Sequence, residues 1–303
     1  MPRIFTSSLL TTLLFVSCSQ PEKEPVDGGP GSLKVVSVNY PLHFFAERIG
    51  GAFIDATFPL PPGDDPAYWN PDADEIALFQ QADLILTNGA DYAGWLEKVS
   101  LPTSRMVNTS KAFSDSYIEL EEGVTHTHGP GGKHEHMGFA FTTWLDFKNA
   151  LAQAEAVKEA IVKHLPGAKR SLEENFRGLK ADLIALDEKA AHATAQLTES
   201  TLYASHPVYQ YFASGYNLSI LSEHWEPGEM PSDGQWRVFA NTLREKRGGI
   251  MLWEDEPLRE VRDRLHNMGL VVTVFNPCGN RPKEGDFLTV MNSNLDRLAQ
   301  TEE

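Results

Sequence analysis

The sequence predicts an α/β protein of two lobes, each built on a parallel four-stranded sheet, with a long rigid α-helix joining them. Short apolar runs alternate with amphipathic helical stretches towards both ends of the chain, a pattern typical of parallel sheets covered by helices. A stretch that favours helix almost throughout separates the two alternating regions. With 303 residues, 41% of them hydrophobic and 22% charged, the chain is long enough to bury a sizeable core.

Residues 1–18 have the pattern of a secretory signal peptide. One basic residue, Arg3, precedes an apolar stretch that is too short to span a bilayer. The ending FVSC resembles a bacterial lipobox, so we expect Cys18 to carry a lipid that anchors the protein to a membrane; the alternative is a plain signal with an incidental cysteine. Residues 19–32 are polar and rich in Pro and Gly, which predicts a flexible tether. Cys278 is then the remaining thiol, which excludes an intramolecular disulfide.

Residues 33–141 form the predicted N-terminal lobe. Its helices are predicted in PLHFFAERIG and PDADEIALFQQA, and the second opens with Pro71 and acidic residues that suit the positive end of the helix dipole. The four strands are predicted from the apolar runs LKVVSVN, FIDATFPL, DLILTN and RMVNTS.

Residues 142–198 form a helical region that is broken only by LPGA at 165–168. The part from Lys169 to Leu197 would be a helix roughly 40 Å long at a rise of ~1.5 Å per residue, long enough to run along both lobes. Residues 199–303 return to the alternating pattern as the C-terminal lobe, with predicted strands TLYAS, LSILS, GIMLWE and LVVTVF. Helices are predicted in PVYQYFASGYN, DGQWRVFANTLREKR, PLREVRDRLHNMG and DFLTVMNSNLDRLAQ.

The net charge of the chain argues against some classes of binding partner. The formal net charge is −16, from 42 acidic and 26 basic residues. The field of such a chain repels nucleic acid and anionic lipid surfaces and attracts cations.

Side chains that can coordinate a metal follow most strands of the C-terminal lobe. Open parallel sheets bind ligands beyond the carboxyl ends of their strands, and in the N-terminal lobe Asp64, Asp65 and Tyr68 follow the second strand. Ordinary explanations exist: a histidine there can cap a helix, the loop after the second strand of the C-terminal lobe can simply be solvated, and carboxylates can supply charge at a helix start. The candidates of the C-terminal lobe are His206, His224, Glu226, Glu229 and Glu254.

The loop VTHTHGPGGKHEHMG, residues 124–138, places four imidazoles around a Pro/Gly turn. We interpret it as an accessory loop that collects or senses metal, since fixing a flexible loop in a closed cage costs conformational entropy. The alternatives are a merely solvated polar loop and a loop that folds inward and supplies a ligand to the main site. Its histidines are His126, His128, His134 and His136.

Five stretches carry a resemblance that spans the chain from about Leu33 to Gln300: YPLHFFAERIGG, PPGDDPAYWNPDADEIALFQQADLILTNGADYAGWLEK, TTWLDF, YASHPVYQYFASGYNL and GDFLTVMNSNLDRLAQ. They resemble the zinc/manganese solute-binding proteins of bacterial ABC importers, in the same order and with the long helix and the histidine-rich loop in place. The resemblance implies two lobes that clamp one metal ion in the cleft between them, and a membrane permease that receives the ion.

The resemblance also implies four ligand positions, of which one holds a ligand here. The histidine of the family motif GxEPHxWxP corresponds to Ala67, and that of HxWLDP to Thr142. The histidine of SHxxF/Y is present as His206, while Asn276 stands at the acidic position after the last strand. Zinc needs about four ligands, but Ala67 supplies no donor and the other two replacements supply weak neutral oxygens. The metal site that is usual in the family therefore cannot be assigned to this chain.

Two interpretations remain: the chain has lost metal binding, or it has rebuilt the site around His206. We favour a rebuilt site, because the acidic loop with an imidazole follows a strand that should neighbour the one before His206. The predicted ligands are His206, His224, Glu226, Glu229, Asp65 and Glu254.

The predicted function is capture of a divalent metal outside the cytoplasmic membrane and its delivery to an ABC permease, by a monomer that is not an enzyme. Imidazole with carboxylate suits Zn²⁺ first, and also Mn²⁺. The alternatives are a protein of the same fold that binds a metal chelate or another small solute, and a surface lipoprotein used for adhesion. A metal-dependent hydrolase is disfavoured because no HExxH motif occurs.

Overall fold

The computed structural model describes residues 32–120, 125–127, 133–135, 138–198, 201–245 and 249–301. The predicted signal peptide, Cys18 with its predicted lipid, and nearly all of the tether lie outside the described residues, as do His128 and His136. Within the described ranges no helix is both long and apolar enough to cross a membrane.

The N-terminal lobe is built on a parallel sheet of four strands in the order β2-β1-β3-β4. The side chains of β3 are all buried, as expected for a central strand covered on both faces. Asn39 caps α1 by accepting a hydrogen bond from Leu42 N, and Asp72 with Glu75 forms a capping box on α2. The elements are β1 (Leu33–Ser37), α1 (Tyr40–Gly50), β2 (Ile54–Thr57), α2 (Ala73–Gln81), β3 (Leu84–Thr87) and β4 (Met106–Asn108).

The histidine-rich segment contains a short antiparallel hairpin, β5 (Thr125–Thr127) and β6 (Lys133–Glu135), where we expected an irregular loop. The pairing register places His126 directly opposite His134. Antiparallel backbone pairing orders these two short strands, and the Gly and Pro content of the segment does not predict it.

Two helices follow, α3 (Phe147–His164) and α4 (Lys169–Thr194), separated by a turn at Pro166–Ala168 as predicted. The 26 residues of α4 correspond to about 39 Å at ~1.5 Å per residue. This helix packs on α1 and α3 of the N-terminal half and on the last helix of the chain. It therefore joins the two lobes along its length.

The C-terminal lobe repeats the parallel arrangement, with strand order β10-β9-β7-β8. Its strands are β7 (Thr201–Ala204), β8 (Ser219–Ser222), β9 (Gly249–Trp253) and β10 (Leu270–Val274). Its helices are α5 (Gln210–Gly215), α6 (Asp233–Glu245), α7 (Arg259–Asn267) and α8 (Phe287–Gln300). The predicted fold class is confirmed.

One apolar core runs through both lobes. It contains buried side chains of β1, β3, α1, α3 and α4, and it continues into α5, α8 and one face of the C-terminal sheet through Leu202 and Leu252. A second core lies on the other face of that sheet beneath α6 and α7. Because the interface between the lobes is apolar and shared with long helices, we expect little relative motion of the lobes.

Candidate metal site

Three of the predicted ligands follow three neighbouring strands. His206 comes after β7, His224 after β8 and Glu254 after β9, and β7 lies between the other two strands. Backbone hydrogen bonds continue the ladder past the strand ends, with 2.9 Å from Ser205 N to Leu252 O and 2.8 Å from Trp225 N to Ser205 O. Adjacent strands lie about 4.8 Å apart, so the three side chains are neighbours with His206 in the middle.

The imidazole of His206 is buried and contacts a candidate on each side. Its Nδ1 atom lies 3.1 Å from Oε1 of Glu254. Its ring centroid is 6.1 Å from that of His224, with the two rings almost perpendicular. Burial acts to lower the pKa of His206, but the hydrogen bond with Glu254 and the charges of Glu254, Glu226 and Asp65 outweigh it, so the pKa lies above its ordinary value of 6.5.

The N-terminal lobe contributes the loop after β2. Its backbone turns at Asp65, whose Oδ1 accepts from Ala67 N at 2.9 Å and whose carbonyl oxygen accepts from Tyr68 N at 3.2 Å. Burial, and then the charges of Asp65, Glu254 and Glu226, hold the pKa of Tyr68 well above its usual range. The same three carboxylates therefore act on two side chains: Tyr68, in the N-terminal lobe, and His206, in the C-terminal lobe.

The loop that carries His224 and Glu226 is fixed by the tryptophan between them. Trp225 is 1% exposed and inserts into the second core, with its ring 4.7 Å from Trp236 and 6.0 Å from Trp253. His224 and Glu226 are half-buried on either side of it. His224 lies beside His206 and the charge of Glu226 acts on His206, so the loop anchored by Trp225 brings both of its neighbours close to the end of β7.

The remaining predicted ligand of this loop is Glu229. It is exposed, and its side chain takes part in no hydrogen bond or ion pair within the described part of the chain. Its place in the ligand set stays a prediction. The backbone carbonyl oxygen of Asp64 accepts a hydrogen bond from Asn280 Nδ2, at 2.7 Å.

Among the described residues, no group of three or more His, Cys, Asp or Glu side chains stands ready to hold a metal ion. Two imidazoles on one tetrahedral zinc have ring centroids about 5 Å apart, roughly an ångström closer than His206 and His224. A bound ion would have to draw these side chains together.

Thr142 and Asn276 stand where the family resemblance places metal ligands, and both make hydrogen bonds within the protein. The hydroxyl of Thr142 donates a short hydrogen bond to the carbonyl of Val208 in the opposite lobe. Oδ1 of Asn276 accepts from Cys278 N at 2.6 Å, and Asn276 N donates to Asn294 Oδ1 at 3.1 Å. Thr142 therefore supports the contact with the C-terminal lobe, and Asn276 orders the loop after β10 within that lobe.

Tyr68 is a candidate at the end of the second strand that the predicted ligand set does not include. Its position directly after Ala67 was the available signal. Its approach to Glu254 and Glu226 depends on how the lobes pack, which local patterns do not contain.

Two α/β lobes joined by a long helix, with imidazole and carboxylate groups in contact at the strand ends, define the class of two-lobed α/β binding proteins. The chain belongs to the family described as zinc-uptake complex component A, periplasmic, whose sequence model matches residues 35–301. The resemblance read from the sequence is confirmed. That description is of a component of an uptake complex, and the prediction of a binding protein that is not an enzyme agrees with it.

Curated relatives include the zinc-binding lipoprotein AdcA of Streptococcus pneumoniae (strain TIGR4), which is 25% identical over 305 residues. The alignment covers 96% of this chain and 59% of AdcA, so the chain spans less than two thirds of that relative. The manganese ABC transporter substrate-binding lipoprotein PsaA of Streptococcus anginosus is 24% identical, with 96% of this chain and 95% of PsaA covered.

Solved structures share the fold. Zn(II)-bound AdcA from Streptococcus pneumoniae superposes with a TM-score of 0.75 at 20% identity, covering 89% of this chain and 58% of that one. The metal-dependent lipoprotein YcdH from Bacillus subtilis also gives a TM-score of 0.75, at 22% identity, covering 89% of this chain and 98% of that one.

Proposed function

We propose that this protein captures a divalent metal ion in the cleft between its lobes and delivers it to the permease of an ABC importer. Family membership and relatives named for zinc and manganese transport support the class of solute. The observation that carries the site is the arrangement of His224, His206 and Glu254 on three neighbouring strand ends.

The proposed ligands are His206, His224 and Glu254, with oxygen from Glu226 and Asp65; Glu229 remains available at the rim. Two imidazoles with carboxylates suit Zn²⁺, the first choice, and Mn²⁺ accepts the same donors. A metal ion binds a deprotonated nitrogen of the imidazole, so the ion competes with the protonation that the raised pKa of His206 favours.

The proposed location is outside the cytoplasmic membrane, with the protein held to it by a lipid on Cys18 and acting as a monomer. Relatives named as lipoproteins of metal ABC transporters support this location. The hairpin with His126 opposite His134 is proposed as the accessory metal-collecting segment, together with His128 and His136.

The test is zinc affinity by competition with a chromophoric chelator. Changing His206 and His224 together to alanine should abolish tight binding, because it removes both nitrogen ligands. The matched control changes His192 and His266 to alanine. Both are exposed, and they lie in the last turns of α4 and α7. An unchanged zinc affinity of the His206/His224 variant, or an equal loss of affinity in both variants, would exclude the proposed site.

A further inference from the structure

The loop after β10 contains a segment, residues 277–281, that bonds to the N-terminal half of the chain; we call it the clasp. The carbonyl oxygen of Pro277 accepts from the indole Nε1 of Trp144 at 2.8 Å. The carbonyl oxygen of Gly279 accepts from the backbone N of Tyr40, the first residue of α1, also at 2.8 Å. Because both acceptors are backbone groups, these bonds fix the path of the clasp itself.

The side chains of the clasp add three further contacts. Asn280 donates from Nδ2 to the carbonyl oxygens of Pro61 and Asp64, at 2.9 and 2.7 Å, on the loop after β2. Nη2 of Arg281 lies 3.1 Å from Nε2 of His43 on α1, and since a guanidinium only donates, the imidazole nitrogen accepts here. The clasp therefore joins the C-terminal lobe to α1, to the loop after β2 and to the segment before α3.

The C-terminal lobe fixes the shape of the clasp. Cys278 is 2% exposed and has a φ of +59°, in the left-handed region that favours glycine. Such a conformation persists where the surrounding structure holds it. Cys278 N donates to Asn276 Oδ1 at 2.6 Å, and Asn294 on α8 donates from Nδ2 to the carbonyl oxygen of Asn276 at 2.7 Å. The clasp is thus anchored on its own lobe and bonded to the other.

The proposed metal ligands lie outside these bonds. Asp65, from the N-terminal lobe, lies on the loop that Asn280 ties to the C-terminal lobe through its neighbour Asp64. Drawing the rings of His206 and His224 together is a movement within one lobe, and it leaves the bonds of the clasp in place. The proposed ligands of the C-terminal lobe are His206, His224, Glu226 and Glu254.

Hydrogen bonds occur where the family resemblance implies bonds to an ion. An ion with ligands from both lobes links them, and Thr142 and Asn276 stand at two such ligand positions. Here the hydroxyl of Thr142 donates directly to the carbonyl of Val208 in the C-terminal lobe, and Asn276 holds the clasp. The link between the lobes is therefore made by the chain itself.

We propose that the clasp holds the two lobes together independently of the metal, so that the ion is captured by movements within the C-terminal lobe and does not close the cleft. The part of this proposal that concerns capture rests on the function proposed above. The part that concerns the clasp is a property of the metal-free chain.

The first experiment measures amide hydrogen exchange and X-ray scattering of the full chain with and without Zn²⁺. Zinc should slow exchange at residues 223–226 at least about tenfold, because the ion fixes two ligands there. Exchange at Tyr40 N, which bonds to Gly279 O, should stay within about twofold, since the clasp is already formed. The radius of gyration should not change.

The second experiment uses metal-free protein in EDTA. The variant Trp144→Phe with Asn280→Ala removes three bonds of the clasp. It should speed exchange at Tyr40 N at least about tenfold relative to the amides of β9, and increase the radius of gyration. The matched control is Trp95→Phe with Asn175→Ala: Trp95 is also a buried indole, and Asn175 on α4 donates to α1. The control should change neither quantity.

Two results would overturn the clasp: slower exchange at Tyr40 N or a smaller radius of gyration when zinc binds the unmodified protein, or equal effects of the two double variants. If a double variant does not fold, its single substitutions give the same comparison. The second experiment contains no zinc. A failure of the unmodified protein to bind zinc would therefore refute the proposed function, while the clasp would stand or fall with the variants.

Discussion

Nδ1 of His206 lies 3.1 Å from Oε1 of Glu254, so the central imidazole of the candidate site is hydrogen-bonded to a carboxylate on the neighbouring strand end. The contact joins β7 to β9 at the edge of the sheet where ligands bind in parallel α/β proteins. It explains why the pKa of His206 is raised although the ring is buried.

Changing Glu254 to glutamine should weaken zinc binding at least tenfold, because the neutral amide removes a proposed oxygen ligand and a charge beside His206. The pKa of His206 should fall at the same time, which NMR titration of its ring protons measures. Asp255→Asn is the matched control, since Asp255 is adjacent and exposed and its Oδ1 only accepts from Glu256 N. An affinity that both changes leave intact would remove Glu254 from the site.

Replacing Ala67 with histidine should increase zinc affinity about tenfold or more, because it returns an imidazole to the position that the family resemblance marks as a ligand. Ala67 is half-buried, and its backbone N–H already donates to Asp65 Oδ1, a bond that the substitution leaves in place. Chelator competition measures the gain. An unchanged affinity would mean that the rebuilt site lies too far from position 67 to use this ligand.

Asn280→Ala should lower both stability and zinc affinity. It removes two hydrogen bonds to the loop after β2, worth about 1 kcal/mol each in a typical case, and frees Asp65 and Tyr68 to move away from the site. Urea unfolding and chelator competition give the two quantities. Asn241→Ala on the exposed side of α6 should change neither, and equal effects of both substitutions would contradict the account.

Acid should destabilise the protein through His43. Burial and then Arg281, whose Nη2 lies 3.1 Å from His43 Nε2, lower the pKa of this histidine to about 4 from an ordinary value of 6.5. The unfolded chain therefore binds a proton that the folded chain does not, and stability falls as pH decreases from 6.5 towards 4.

Thermal unfolding at pH 7.5 and pH 5 measures this loss, with His43→Gln as the comparison. The midpoint of the unmodified protein should fall more between these pH values than that of the variant, because glutamine does not titrate. Equal falls in both proteins would show that His43 is not responsible.

The fold was largely predictable from the sequence because its signals are local. Alternation of apolar strands and amphipathic helices marked both lobes, and the break at Pro166–Ala168 separated α3 from the long α4 as expected. The pairing of β5 with β6, which places His126 opposite His134, was not predicted, since antiparallel pairing of such short strands leaves little trace in composition.

The candidate site was predictable in its parts and not in its arrangement. Because ligands bind beyond the carboxyl ends of parallel strands, the sequence predicted His206, His224 and Glu254 individually as ligands. The strand order β9-β7-β8, which makes them neighbours, depends on how the chain crosses the sheet. The position of Tyr68 opposite them depends on contacts between lobes that are over a hundred residues apart in sequence, such as those of Asn280.

The most direct test of the central claim is anomalous scattering at the zinc edge from crystals grown with zinc. A single strong peak in the cleft, within about 2.1 Å of a nitrogen of His206 and of a second ligand from His224 or Glu254, is the predicted result. A peak confined to the hairpin around His126 and His134, or no peak in the cleft, would contradict the rebuilt site.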